Sequence, residues 1–173
     1  EHIVAVVGRD HRDHMTGQLL NRGQARVIYQ PANRDTAAGI FLPLTYVAAQ
    51  DPDATVVILP SDHFAYPEER LVQGIREATM AARGTGERLV LLGVSPDRLE
   101  LDYGWIERGQ AAMSLNGVTA YPVRSFLEKP DRAKARAAWE AGALWNTLVF
   151  AARVETLWAL GQRCMPSLMS LFD

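Results

Sequence analysis

Asp62 stands in Pro60-Ser61-Asp62-His63, directly after the clearest strand-like run of the chain. In open α/β sheets ligands sit beyond the carboxyl ends of strands, so a carboxylate there can hold a divalent cation. A hard ion such as Mg²⁺ takes one or two carboxylates and completes its shell with water and phosphate oxygens. The plainer alternative is that Asp62 caps the following turn and His63 packs against it. Glu128 and Lys129 lie side by side in Phe126-Leu127-Glu128-Lys129-Pro130-Asp131. Pro130 breaks the strand just after them and lets both side chains reach one ligand, Glu128 accepting from sugar hydroxyls and Lys129 neutralising a phosphate. A solvated strand end with a surface ion pair is the alternative.

Three further places are weaker taken singly. Gly104, in Tyr103-Gly104-Trp105-Ile106, is a glycine within a strand-like stretch. Such a glycine marks either the close approach of a ligand or backbone, or a bulge. Gln30-Pro31 through Arg34-Asp35-Thr36-Ala37 reads as a loop entering a helix, with Asp35 or Thr36 as N-cap. A helix entry offers free backbone N–H groups to a ligand, although every helix needs a cap. Asn146, after Trp145, is an amide within an aromatic-rich strand and needs partners, which are a ligand hydroxyl or neighbouring backbone. Trp139 and Trp158 fall at helical spacing and read as packing. The chain has no serine-hydrolase elbow, no zinc-ligand spacing and no Walker-type phosphate loop.

Short β-branched runs alternate with helical stretches, which predicts an α/β fold with a mainly parallel sheet flanked by helices. Strands are predicted at Ile3–Val7, Arg26–Tyr29, Thr55–Leu59 and Leu89–Gly93, then as longer runs at Tyr103–Arg108, Val118–Leu127 and Leu144–Ala151. Helices are predicted from Asp10 to Asn21 (with Met15, Leu19 and Leu20 apolar), Thr36 to Gln50 (largely buried), Pro67 to Arg83, Arg132 to Ala141, and from Val154 onward. No repeat or linker interrupts the 173 residues, so 1–173 reads as a single domain. With 48% apolar and 22% charged residues and a net charge of −2, it is an ordinary globular composition without the basic field that nucleic acid would require. No apolar run reaches the ~20 residues that span a bilayer. The lone Cys164 rules out an internal disulfide and fits a reducing, cytoplasmic compartment. The chain opens at Glu1 and almost at once enters an apolar run, as a chain cut upstream would.

In order, Gln30-Pro31…Arg34-Asp35-Thr36-Ala37, Leu59-Pro60-Ser61-Asp62-His63, Tyr103-Gly104-Trp105-Ile106-Glu107, Phe126-Leu127-Glu128-Lys129-Pro130-Asp131 and Gly142…Trp145-Asn146 resemble the mannose-1-phosphate guanylyltransferases. The resemblance covers nearly the whole chain. It implies a Rossmann-like nucleotidyltransferase fold and the formation of GDP-mannose and pyrophosphate from mannose 1-phosphate and GTP with Mg²⁺. Carried over by motif, Asp62 binds Mg²⁺, Gly104 and Glu128 contact the sugar, and Lys129 its phosphate. Asn146 lies at the sugar site and the Arg34–Ala37 turn near the base. Asp62 and Lys129 are the residues on which catalysis would depend.

Sugar 1-phosphate and nucleoside triphosphate are the expected partners, without nucleic acid or membrane; a homo-oligomer is compatible with the reading. Asp35 stands where the family usually has Asn, and Trp145-Asn146-Thr147-Leu148 where Trp-Asn-Ser-Gly is usual. The glycine-rich signature that cradles the triphosphate, expected to precede such a chain, is not in these residues, so the chain alone is expected to be inactive. Two alternatives accompany this reading. One is a nucleotidyltransferase-like sensor or subunit partner without catalysis; the other is the same reaction with another sugar or nucleotide.

Overall fold

The structure is a computed structural model that describes residues 3–19 and 25–172. It divides into two compact units, Glu1–Ala54 with Leu157–Asp173, and Thr55–Thr156.

In the first unit, β1 (Ile3–Gly8) pairs in parallel with β2 (Ala25–Gln30). Between them lie a 3-10 turn over Arg9–His11 and α1 (Arg12–Leu19). The predicted continuation of that helix to Leu20 and Asn21 lies outside the described residues. The helix α2 (Asp35–Gln50) buries only Phe41 and Leu44, fewer residues than its apolar density predicts. It also carries Pro43 in its interior, where the missing N–H leaves one helical hydrogen bond unmade. The chain returns to this unit through α5 (Val154–Cys164) and α6 (Pro166–Met169). Gly161 of α5 lies so close to Phe41 and Met169 that a Cβ there would sit 2.7 Å and 2.6 Å from them. That glycine is what lets α2 and α6 meet α5.

The second unit holds β3 (Thr55–Ile58), α3 (Glu68–Thr85), β4 (Val90–Val94) and β5 (Gly104–Arg108). The hairpin β6 (Met113–Leu115) and β7 (Val118–Ala120) follows, then β8 (Val123–Glu128), α4 (Arg132–Glu140) and β9 (Leu144–Arg153). β9 is the central strand. Ala151 pairs with Val57 on one side and Val90 on the other, and Trp145 with Trp105 and Val94. β4 therefore runs along one edge of β9, while β3 and β5 take successive stretches of the other, and β8 extends the sheet beyond β5. The helix α3 covers the middle of this sheet. Its Ala78 and Ala82 pack on Ala151, Val57 and Val90, one residue from each of three strands.

The α/β reading holds, but the mainly parallel sheet is realised only in part. Among the described residues, β1–β2 is the parallel pairing, and the pairings around β9 are antiparallel. β3 and β4 do run in the same direction, joined by the crossover helix α3. The late strand β9 inserts between them, antiparallel to both.

The predicted strand Val118–Leu127 is broken at Tyr121-Pro122, where the Pro122 carbonyl accepts from Gly109 N. Its first half folds back on β6 through Asn116 (φ 53) and Gly117 (φ 81), the type I′ conformation favoured by Asn-Gly. Trp139 is 39% exposed, not core. The helix α4 instead buries Ala135 and Ala138 against Trp105 and Trp145, with Leu99, Leu101 and Leu127 around them.

Candidate active site

Gly104 and Glu128 are register partners across β5 and β8. Residues directly opposite in an antiparallel pair share one face of the sheet. A Cβ built on Gly104 would fall 2.9 Å from Glu128 Oε2 and 2.9 Å from Phe126 Cζ. The register shift of this pair comes later, between Glu107 and Arg108. Gly104 is therefore not a bulge; it is the bare floor over which the Glu128 carboxylate and the Phe126 ring lean.

On the other side of β5, Trp105 pairs with Trp145 and Ile106 with Leu144. The same register carried one step further sets Asn146 across from Gly104. Glu128, Gly104 and Asn146 thus line up over three adjacent strands. Glu128 and Lys129 are exposed, and among the described residues neither side chain forms a hydrogen bond or ion pair. The surface ion pair weighed above does not form. Lys129 adopts φ 44, in the left-handed region that side chains with a Cβ rarely occupy. Strained backbone of this kind gathers at ligand sites. The turn is anchored by Pro130, which is buried, and by Asp131, whose carboxylate accepts from Lys134 N at 2.9 Å and caps α4.

The other face of the strands is held rigidly. Trp105 is fully buried and its Nε1 donates to the Glu100 carbonyl at 2.9 Å. The Tyr103 ring meets Trp145 edge-on at 5.3 Å, and the Arg98 guanidinium lies 5.1 Å over the same indole. The Glu100 carboxylate takes the backbone N–H groups of Asp102 and Leu101, which hold its pKa below the usual value and tie down the loop leading to Gly104.

Asp62 lies in the turn after β3. β3 ends at Ile58 opposite Phe150, and β5 pairs with the same edge of β9 from Trp145 on, so the chain leaves the sheet beside the interval 146–149. Asp62 is exposed, and among the described residues its carboxylate has no hydrogen bond or ion pair. It does not cap its turn, and His63 is exposed instead of packed. Among the described residues no group of three or more His, Cys, Asp or Glu comes together as a metal site. A single free carboxylate fits an ion such as Mg²⁺, which leaves most of its shell to water and phosphate.

Arg34, Asp35, Thr36 and Ala37 belong to the first unit. The helix α2 begins at Asp35, with Arg34 in the N-cap position, so neither Asp35 nor Thr36 is the cap. Asp35 has φ 63, and its N–H donates to Asn33 Oδ1 at 3.1 Å. Asn33, overlooked in the sequence, supplies the side-chain oxygen at this entry; Asn two residues before a helix is a readable Asx-turn signal.

Thr147 and Leu148, which stand where the resembled family usually has Ser and Gly, shape the backbone beside Asn146. Leu148 has φ 56 and donates its N–H to Asn146 Oδ1 at 3.2 Å. Thr147 Oγ1 donates to the Leu92 carbonyl and accepts from Val149 N at 3.1 Å. Two cavities lie elsewhere. One of about 260 Å³ and one of about 360 Å³ share Arg108, at the far end of β5 from Gly104. In the Glu128–Gly104–Asn146 row Glu128 is exposed, Asn146 half-buried and Gly104 buried.

Residues 1–169 match the family described as Nucleotidyl transferase. The alginate biosynthesis protein AlgA of Pseudomonas aeruginosa is 34% identical over 148 residues, covering 84% of this chain and 30% of that protein. The mannose-1-phosphate guanylyltransferase of Escherichia coli K12 is 31% identical over 152 residues, covering 85% and 31%. The chain thus spans about 30% of the length of the curated relatives it matches.

Among solved structures, a mannose-1-phosphate geranyltransferase from Thermus thermophilus superposes with a TM-score of 0.83 at 28% identity, covering 98% of this chain and 47% of that one. A mannose-6-phosphate isomerase from Helicobacter pylori shares the fold, with a TM-score of 0.83 at 20% identity over 99% and 64%. The order of motifs, the α/β fold and a match over nearly the whole chain agree: the chain belongs to the nucleotidyl transferase family.

Proposed function

We propose that the full-length protein is a mannose-1-phosphate guanylyltransferase. It would transfer the guanylyl group of GTP to mannose 1-phosphate, giving GDP-mannose and pyrophosphate with Mg²⁺. The observation that carries this reading is the row Glu128–Gly104–Asn146, a carboxylate and an amide flanking a bare backbone, with Lys129 next to the carboxylate. The similarity to the Escherichia coli enzyme supports the choice of sugar and base. The family match across residues 1–169 supports reading both units as parts of one nucleotidyltransferase domain. Among the described residues no helix is long and apolar enough to cross a membrane, and a cytoplasmic setting is part of this reading.

In the reaction, a phosphate oxygen of the sugar phosphate attacks the α-phosphorus of GTP in line. The new P–O bond forms as the bond to the β-phosphate oxygen breaks, and the pair of electrons leaves with pyrophosphate. No protein nucleophile is needed; positioning and charge neutralisation supply the rate. Glu128 accepts from sugar hydroxyls over the Gly104 floor, and Lys129 holds the sugar phosphate. Asn146 completes the sugar site, and the Arg34–Ala37 turn serves the base. Asp62 would hold Mg²⁺, which when bound offsets the charge of the phosphates.

The test is pyrophosphate release by the full-length protein from GTP and mannose 1-phosphate, with variants at both ends of the site. Asp62→Asn should lower turnover, with part of the loss recovered by excess Mg²⁺. Lys129→Ala should weaken mannose 1-phosphate binding roughly ten- to hundredfold, the worth of a hydrogen bond to a charged group. GTP affinity should stay close to wild type. A Lys129→Ala protein that loses GTP and keeps mannose 1-phosphate would overturn the assignment.

A further inference from the structure

We propose that Asn146 turns its amide NH₂ to its ligand as a hydrogen-bond donor, and that Thr147 is the positioning residue that fixes it in that role. The proposal rests on the reading of this site as a sugar-phosphate site and names the chemistry the site selects.

Between Leu91↔Phe150 and Gly93↔Asn146 the register of β4 against β9 shifts, so β9 carries extra residues there. Those residues are fastened from within. Thr147 Oγ1 bridges the gap by donating to the Leu92 carbonyl, and it accepts from Val149 N at 3.1 Å. Held on both sides, the chain enters the left-handed region at Leu148, φ 56, and turns the Leu148 N–H onto the Asn146 side chain at 3.2 Å. A backbone N–H can only donate, so the atom it meets is Oδ1 and not Nδ2. One lone pair of the amide oxygen is thereby engaged, which fixes the orientation of the amide. Nδ2, the donor half, has no hydrogen bond among the described residues.

Asn146 is therefore a free donor across β5 from Glu128, a free acceptor, with Gly104 between them. Neighbouring strands lie about 4.8 Å apart, so these two backbones, with β5 between them, are roughly 10 Å apart, and a ligand the size of a sugar ring can meet both side chains. The matching ligand gives a hydroxyl proton to Glu128 and offers an oxygen lone pair to Asn146. A polyol does both, because each hydroxyl can donate and accept. A group with acceptors alone, such as a bare phosphate, would meet Asn146 well and be repelled by Glu128. The row thus sorts hydroxyls from phosphate and leaves the phosphate to Lys129.

The experiment measures mannose 1-phosphate and GTP binding to the full-length protein by calorimetry, for wild type, Thr147→Val, Thr147→Ser, Asn146→Ala and the Asn146→Ala/Thr147→Val double variant. Alongside, the Asn146 side-chain NH₂ signals are followed by NMR without ligand. Thr147→Val keeps the shape and removes both hydroxyl hydrogen bonds. It should weaken mannose 1-phosphate about tenfold, one neutral hydrogen bond's worth, and leave GTP within about twofold. Thr147→Ser should restore binding. In the Asn146→Ala background Thr147→Val should have little further effect, since a residue that acts through Asn146 has nothing left to act on. Thr147→Val should also shift and broaden the Asn146 amide signals, and Thr147→Ser should bring them back.

Equal losses from Thr147→Val in both backgrounds would overturn the proposal, as would normal binding by Thr147→Val in a protein whose wild type binds. Wild-type protein that keeps sharp amide signals and binds no mannose 1-phosphate would instead overturn the functional reading, and the recognition half of this proposal with it.

Discussion

The backbone of Gly104 lies directly under the Glu128 carboxylate, so close that a single added methyl group would reach Oε2 at 2.9 Å. The same methyl would meet the Phe126 ring at 2.9 Å. Both are far ends of flexible side chains and can move aside, whereas the β5–β8 backbone pairing stays. The relationship therefore controls where Glu128 points more than how firmly the sheet holds.

Gly104→Ala is accordingly expected to separate binding from stability. Urea unfolding should change by less than about 1 kcal/mol, since ordinary small substitutions away from packed backbone cost little. Mannose 1-phosphate binding by the full-length protein should weaken about tenfold or more, because the displaced carboxylate leaves its hydroxyl partner. An unfolding midpoint that falls sharply with sugar-phosphate affinity unchanged would show that this glycine serves packing alone.

Leu148 offers a test of backbone strain that is independent of any ligand. At φ 56 a residue with a Cβ carries a penalty of about 1–2 kcal/mol that glycine escapes. Leu148→Ala and Leu148→Gly lose nearly the same side chain, so their difference isolates the backbone. At an ordinary strand position Ala would be the more stable of the two. Here Leu148→Gly should exceed Leu148→Ala by about 1 kcal/mol in urea unfolding. The reverse order would mean that position 148 is not held in the left-handed region.

Asp131 links helix capping to pH. Its carboxyl lies below the usual value chiefly because it accepts from the Lys134 backbone N–H, with the Lys134 side chain adding to the effect. A group whose folded pKa is depressed contributes stability that is present above its unfolded value and is lost as pH falls through the folded one. Below about pH 4, therefore, wild type should lose this contribution. Asp131→Asn keeps a capping oxygen without the charge and should show a flatter acid limb in thermal melts taken from about pH 6 to about pH 3. Asp131→Ala should be destabilised at both ends of that range. Identical acid limbs for wild type and Asp131→Asn would remove Asp131 from the account.

The buried face of the site predicts where stability resides. Trp105 is fully buried among Ala135, Ala138, Ala143 and Trp145, and its indole N–H is satisfied by the Glu100 carbonyl. Trp105→Ala should cost about 3–5 kcal/mol, as emptying an aromatic site usually does. Trp139→Ala, at an exposed position of the neighbouring helix, should cost far less. Comparable losses for the two in chemical denaturation would contradict this placement of the core.

The residue types of the candidate site are written locally. A carboxylate after a strand and a Glu-Lys pair stopped by Pro130 depend on neighbours within a few residues, whereas the capping of α4 by Asp131 was equally local and was passed over. Periodicity and turn residues reach about as far, which is why α3, α4 and β9 appear close to their predicted bounds. The Asn116-Gly117 hairpin was equally local and was passed over in favour of one long strand.

Tertiary structure alone decided what depends on pairing between distant residues. Nothing near Leu144–Arg153 says that this strand inserts antiparallel between β3 and β4, because strand order is set by which apolar faces can be buried together under α3. Nothing near Gly104 says that its partner is Glu128; the choice comes from register, which a slip of one residue would reverse by turning every side chain to the other face. The left-handed conformations of Lys129 and Leu148 are also imposed from outside, since neither residue favours them and only the surrounding hydrogen bonds and packing hold them there. Residue types were local information, and the pairing that sets Gly104 against Glu128 was a property of the folded chain.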